Sequence, residues 1–280
     1  MYFGIDIGGT KTRVGTFESI DSPSFKSSEA FPTSQNYEEE FNQICRLISR
    51  ENCRVKGIGI SIGAQVARDG STIFASSNLP EYVNKPLVEK LSMIYECTVK
   101  MAHDCVCGLV AEKRFGEMSQ TERFAYVTLS TGTGAAIHLK KDSNYLISSI
   151  ELGHQIIDIN GHKCLCGQTG CLETITGGKQ IELRYGKPPH EISDQGFWIT
   201  FTTYLASGLV NLARMTRIDS IVISGGIANN NIYVKENLEK ELHSRHSRKK
   251  IPLFWSRLNE DSPIVGAVSL LQEDSQRILN

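Results

Sequence analysis

The chain has 280 residues, 30 Lys+Arg against 31 Asp+Glu for a formal charge of −1, and 40% hydrophobic against 22% charged residues. At ~150 residues per domain this length fits about two lobes, and the composition is that of a folded chain. The charge balance excludes a mainly nucleic-acid-binding or polybasic membrane-surface protein, and no apolar run approaches the ~18 residues of a membrane span.

The first residues, Met1 to Arg13, lack a basic start and an apolar stretch, and Asp6 falls where a secretion signal would be apolar. A cytoplasmic protein is expected. The eight cysteines cluster unevenly, which favours a metal site or free thiols over a disulfide framework.

In chain order, Tyr2–Ile7 predicts a strand, Gly8–Thr12 a turn and Arg13–Phe17 a second strand. Residues 21–36, rich in Ser and Pro, predict loop and edge structure. Tyr37, Phe41, Ile44, Cys45 and Ile48 fall at helical spacing. Lys56–Ile62 predicts a buried strand, Pro86–Tyr95 a helix, Cys97–Ala102 a strand and Cys105–Phe115 a helix stopped by Gly116. Phe124–Leu129, a turn at Ser130–Gly134 and a strand at Ala135–Leu139 then repeat the opening pattern. Phe197, Phe201, Leu205, Leu209 and Leu212 stripe a long helix. A strand at Ser220–Ser224, Gly225-Gly226 and further helices complete the chain. Alternating strands and helices make the class α/β. Two related halves are expected to pack around a cleft, one lobe spanning 1–104 and completed by a helix at 262–280, the other spanning 105–261.

Five motifs carry chemistry. In Asp6-Ile7-Gly8-Gly9-Thr10-Lys11-Thr12, glycines allow close backbone approach to a phosphate, turn N–H groups and Thr hydroxyls donate to it, and Asp6 can hold Mg²⁺. The spacing is not that of a Walker loop. The Ser130-Thr131-Gly132-Thr133-Gly134 turn offers the same groups again, and a tight hairpin is the plain alternative for each. Gly225-Gly226 after a strand suits an adenosine or a phosphate, or a simple strand-to-helix turn. Asp104 is placed to be a general base or a helix N-cap. The densest signal is His154, Cys164, Cys166 and Cys171, four soft donors that suit a closed structural Zn²⁺.

Glu151 and Glu173 flank this loop and can accept from sugar hydroxyls, or be surface carboxylates. Asn78 in Ser76-Ser77-Asn78-Leu79-Pro80 can bind a polyol or make a turn. The basic run Arg245, His246, Arg248, Lys249 and Lys250 reads as a solvated helix end, and Cys105 and Cys107 as buried small side chains.

Taken together, the Asp6–Thr12 and Ser130–Gly134 turns, Glu151-Leu-Gly-His154 and Cys164-Leu-Cys-Gly-Gln-Thr-Gly-Cys-Leu-Glu173 resemble the ROK family (repressor, open reading frame, kinase), from residue 4 to about 268. The resemblance implies the two-lobed fold of the actin, sugar kinase and heat-shock ATPase superfamily (ribonuclease H-like) with a zinc-binding loop, closing on a sugar and MgATP. It implies Asp104 as base, and Asp6 with Gly8, Gly9, Thr10, Lys11, Thr12 and Thr131, Gly132, Thr133, Gly134 as phosphate loops. Gly225 and Gly226 match the adenosine side. His154, Cys164, Cys166 and Cys171 match the zinc ligands, and Asn78, Glu151, His154 and Glu173 the sugar contacts.

Repressor members carry a helix-turn-helix domain before the first phosphate loop. Here that loop begins at residue 4, which favours a kinase. Family members are often dimers. Where the family usually has an Asn contacting a sugar hydroxyl, this chain has His103, and Glu81-Tyr82-Val83 replaces the usual Trp of the sugar loop. The expected activity is ATP-dependent phosphorylation of a hexose, with the 6-hydroxyl of glucose as default. N-acetylglucosamine, N-acetylmannosamine, mannose and fructose stay open as acceptors. So do a non-catalytic sugar-binding protein and, in another class, a zinc-dependent hydrolase.

Overall fold

The structure, a computed structural model, describes residues 1–76, 78–245 and 250–279. Ser77 and, from the basic run, His246, Arg248 and Lys249 lie outside the described residues.

The chain opens with β1 (Tyr2–Ile7), β2 (Lys11–Phe17), β3 (Ser27–Pro32), α1 (Tyr37–Arg50) and β4 (Gly57–Ile62). It continues through β5 (Gln65–Val66), β6 (Ile73–Ala75), α2 (Leu87–Tyr95), β7 (Thr98–His103) and α3 (Asp104–Phe115). Then come β8 (Arg123–Leu129), β9 (Thr133–Lys141), β10 (Asn144–Ile150), α4 (Glu173–Thr176), α5 (Gly178–Tyr185) and α6 (Gln195–Thr216). The last elements are β11 (Ser220–Ser224), α7 (Gly226–Asn230), α8 (Ile232–Arg245), β12 (Leu253–Trp255), α9 (Ser262–Ser269) and β13 (Ile278–Leu279).

The chain divides into two compact units. The first comprises Met1–Ser119, Tyr145–Ser149 and Asp261–Asn280; the second comprises Gln120–Asn144 and Ile150–Glu260. The first unit runs past Asp104, where the sequence suggested a boundary, because α3 packs against α9.

In the first unit the sheet order is β3-β2-β1-β4-β7, with β1, β4 and β7 parallel. Side chains alternate between faces along each strand. Phe3, Ile5, Ile7 and Ile58, Ile60, Ile62 bury one face in a single apolar cluster with Phe41, Ile44 and Ile48 of α1. A fully buried side chain of this kind is worth about 2 kcal/mol. Asn36 caps α1, its side chain accepting from Glu38 N and Glu39 N. The other face presents glycines to α9. A Cβ on Gly4 would come within 2.7 Å of the Ile264 carbonyl, and one on Gly59 within 1.8 Å of the Ala267 carbonyl. Gly266 of α9 meets α3 as closely, 1.7 Å from the Cys107 carbonyl. In the Lys56–Ile62 segment, Gly59 is there because a helix backbone lies on it, while Gly57 faces the Leu271 side chain, 2.9 Å from its Cβ position.

In the second unit β12-β11-β8-β9 form consecutive neighbours, with β8 and β11 parallel and β8 and β9 a hairpin. Read from the hairpin, β9-β8-β11-β12 repeats β2-β1-β4-β7, so the weak internal repeat in the sequence is a repeated strand order. The predicted stripe of α6 is buried in this unit's core with Val127, Leu129 and Ile223. Gly116 ends α3 with an extended backbone, φ −105, so its role is close packing: a Cβ there would fall 2.0 Å from Glu112 Oε2.

Candidate active site

The parallel strands of the first unit bring three chain segments level at their carboxyl ends. Ile7 pairs with Ile62, and Ile62 with His103. Carboxyl ends of such strands are where open α/β sheets bind ligands. Asp6 and Ser61 are register partners, and Ser61 Oγ donates to Asp6 Oδ1 at 2.7 Å. Burial, helped by the charge of Asp104, pushes the Asp6 carboxyl up to about 6 against the opposing Ser61 hydrogen bond. A carboxylate in this position gains from a nearby cation.

Asp104 is the first residue of α3 and not its cap. His103 is the cap, with Nδ1 accepting from Cys105 N at 3.2 Å. The same Nδ1 lies 2.9 Å from Asp104 Oδ1, so it accepts from Cys105 N when unprotonated and pairs with the Asp104 carboxylate only when protonated. Burial would raise the Asp104 carboxyl, but the His103 imidazole and the Cys105 N–H outweigh it and hold the group below the ordinary carboxylate range. Two neighbouring carboxyls are thus pushed in opposite directions, Asp104 toward the charged form and Asp6 toward the neutral one. Asn78 stands over the first turn: a Cβ on Gly9 would come within 3.0 Å of its Cβ.

Within that turn Thr10 and Lys11 are exposed. Thr12 is fully buried, because Lys11 and Thr12 already belong to β2 and Thr12 pairs with Ile7. Its hydroxyl meets Thr33 Oγ1 at 2.9 Å, and Thr33 Oγ1 donates to the Gly8 carbonyl at 2.8 Å.

The second unit repeats this construction. Ser130 and Thr131 are exposed at the turn, while Thr133 is buried with its hydroxyl 2.7 Å from Thr176 Oγ1. Gly178 N and Lys179 N at the start of α5 donate to the Ser130 and Thr131 carbonyls, each at 2.9 Å. Glu173 Oε2 accepts from Thr133 N at 2.8 Å, and a Cβ on Gly132 would fall 2.6 Å from that oxygen. Glu173 therefore braces the second turn. Gly225 has φ +99 and would place a Cβ 2.3 Å from the Leu129 carbonyl, so only glycine fits there. Gly226 opens α7 with nothing within 4 Å of its Cβ position.

His154, Cys164, Cys166 and Cys171 converge, their donor atoms all within 4.8 Å of one another. Cys166 Sγ and Cys171 Sγ are 3.7 Å apart, as are Cys164 Sγ and His154 Nδ1. Tetrahedral zinc at about 2.3 Å from each sulfur puts sulfurs about 3.8 Å apart, so the donor set fits the ion. Gly167 and Gly170 take positive φ to make the bends, and a Cβ on Gly170 would lie 1.7 Å from the Asp158 carbonyl. Gln180 Nε2 donates to Cys164 Sγ at 3.3 Å, the kind of outer contact that steadies a metal-binding thiolate. His154 turns Nδ1 to the sulfurs and Nε2 to Glu151 Oε2, 3.8 Å away.

A family model described as ROK family matches residues 2–274. The chain belongs to the ROK family. It is 28% identical over 258 residues to the N-acetylgalactosamine kinase of Shewanella sp. strain ANA-3, covering 81% of this chain and 82% of that one. To the N-acetyl-D-glucosamine kinase of Salmonella dublin it is 27% identical over 259 residues, covering 82% and 85%. The fold superposes on a ROK glucokinase of Streptomyces griseus, solved with glucose and AMPPNP, with TM-score 0.80 at 21% identity over 96% and 98% of the chains. The α/β class is that of the solved ROK proteins, and no described helix is long and apolar enough to cross a membrane.

For this ROK chain the structure gathers Asp6, Asp104, His103 and Asn78 near the first turn, and Glu173, Gly132 and Thr133 at the second. Residues the sequence did not single out complete each group: Ser61, Thr33, Thr176, Gly178 and Gln180. Only Ser61 left a signal, a polar residue alternating with isoleucines in a buried strand.

Proposed function

We propose that this ROK protein is a sugar kinase that transfers the γ-phosphoryl group of MgATP to a hydroxyl of a hexose or N-acetylhexosamine. Asp104 carries the reading: it stands at the carboxyl end of the parallel strands and is held ionised. As general base, it takes the hydroxyl proton while that oxygen bonds to the γ-phosphorus and the bond to the bridging oxygen breaks, releasing ADP. Asp6 and the exposed Thr10, Lys11 and Thr131 face the phosphates, and magnesium, when bound, neutralises charge developing there. Thr12 and Thr133, by their burial, hold the turns in shape. Asn78, His103, Glu151 and His154 contact the sugar. His154, Cys164, Cys166 and Cys171 would hold a structural zinc, whose four protein donors leave no position for a hydrolytic water.

The 27–28% relatives act on N-acetylhexosamines and a structural neighbour binds glucose, so the acceptor class is broader than the glucose default. The test is sugar-dependent ADP release from MgATP across glucose, mannose, fructose, N-acetylglucosamine, N-acetylgalactosamine and N-acetylmannosamine. The expected result is turnover with at least one acceptor. Sugar binding without ADP release by every acceptor would favour a sugar sensor instead.

A further inference from the structure

Three residues of the first turn are held by one residue from outside it. β3 runs beside β2 as far as Pro32, which pairs with Lys11. Proline has no N–H, and the next donor along the chain is that of Thr33, which donates to the Thr10 carbonyl at 3.1 Å. Thr33 Oγ1 donates to the Gly8 carbonyl at 2.8 Å, and Thr12 Oγ1 lies 2.9 Å from it. A hydroxyl has one proton and a carbonyl can only accept, so Thr33 gives its proton to Gly8 and receives that of Thr12. Gly8, Thr10 and Thr12 are thus tied to Thr33 by three hydrogen bonds.

Ser34, the next residue, is tied in two other directions. Its N–H donates to Glu40 Oε2 of α1 at 2.8 Å, and its carbonyl accepts from the Tyr82 hydroxyl at 2.7 Å. α1 is itself fixed in the core through Phe41, Ile44 and Ile48. Tyr82 is 1% exposed, with its ring edge-on to that of Tyr37. It closes loop 78–82, its N–H donating to the Leu79 carbonyl at 3.1 Å. That loop begins at Asn78, whose Cβ stands 3.0 Å from the Cβ position of Gly9. The turn and the loop therefore meet at Gly9, and both are hung on the same two residues, Thr33 and Ser34.

We propose that Thr33 and Ser34 form a strut that holds the phosphate-facing turn and the sugar-facing loop in register. Thr33 is the positioning residue for the nucleotide, and Tyr82 fixes the sugar loop to the same strut. The proposal rests on the reading that the turn faces nucleotide phosphates and loop 78–82 the sugar. Both residues act through backbone: Thr33 fixes the chain that carries the exposed Thr10 and Lys11, and Tyr82 reaches the turn through the Ser34 carbonyl.

Thr33→Val, Thr33→Ser and Tyr82→Phe test it. Valine keeps the shape and the N–H to Thr10 but loses both hydroxyl bonds, whereas serine keeps all three. Thr33→Val should raise KM for MgATP about tenfold with kcat changed less, and Thr33→Ser should stay within about twofold of wild type. Tyr82→Phe loses only the Ser34 contact. It should raise KM for MgATP about fivefold from within the sugar loop, and by less than about twofold once Thr33→Val is present, because the two act through one strut. Hydrogen exchange of the amides of residues 8–12 without ligand is a second readout. Exchange should quicken in Thr33→Val and Tyr82→Phe and not in Thr33→Ser. A KM for MgATP unmoved by Thr33→Val or by Tyr82→Phe, a serine variant as impaired as the valine, effects of the two changes that multiply, or equal exchange in all the proteins would overturn the proposal. So would a Thr33→Val chain that does not fold, since Thr33 would then serve the whole fold and not the turn. If no sugar is phosphorylated, MgADP affinity by calorimetry replaces KM. If no nucleotide binds, the exchange measurement still decides the strut, so the kinase reading can fail apart from it.

Discussion

Asp104 and His103 are adjacent residues whose roles the sequence could not separate. The sequence placed Asp104 at a helix start, where a base and a cap look alike. In the structure His103 Nδ1 stands against both Cys105 N and Asp104 Oδ1: unprotonated it caps the helix, and protonated it holds the Asp104 carboxyl charged. His103→Ala removes the main influence that opposes burial. The Asp104 carboxyl should then rise, and the acid limb of the kcat/KM profile should move to higher pH. An unmoved limb would detach His103 from the base. The convergence of His154, Cys164, Cys166 and Cys171 was legible because their spacing is local. Thr12, Thr133 and Glu173 were not: whether a turn residue points out or in depends on where the strand resumes, and Glu173 meets Thr133 from 40 residues away.

At the scale of elements, strands and helices with strong periodicity were legible to within a few residues, as with α1, β11 and α6. Short strands such as β5, β6 and β13 were not, because two or three residues carry no periodicity. Gly4 of β1 and Gly59 of β4 lie within predicted strands, and in the fold they are contact surfaces for α9. Gly266→Ala would drive a methyl group into the Cys107 carbonyl. It should lower stability by about 3 kcal/mol or more, read by urea unfolding, because both partners are backbone and neither can move aside. A loss under about 1 kcal/mol would mean that α3 and α9 are less tightly docked than described. In the Cys-rich loop, metal analysis should find one zinc per chain, and Cys166→Ser should lose it and lower the unfolding temperature. A metal-free wild-type protein of unchanged stability would remove zinc from the account.

The whole molecule is two units built on one strand order, each with a Gly- and Thr-rich hairpin tip braced from behind by a second threonine, Thr33 in one and Thr176 in the other. The repeated hairpin was legible in the sequence. The braces were not, since each comes from a separate segment of the chain. The function proposed for the molecule asks that one carboxylate, Asp104, take the proton of the sugar hydroxyl. The most direct measurement is therefore sugar-phosphate formation by wild type and Asp104→Asn side by side, with sugar and MgATP binding measured on both. The account predicts that the variant folds, binds both substrates and loses a factor of about 10²–10⁴ in kcat, the usual contribution of a general base. A variant that turns over at the wild-type rate would contradict it.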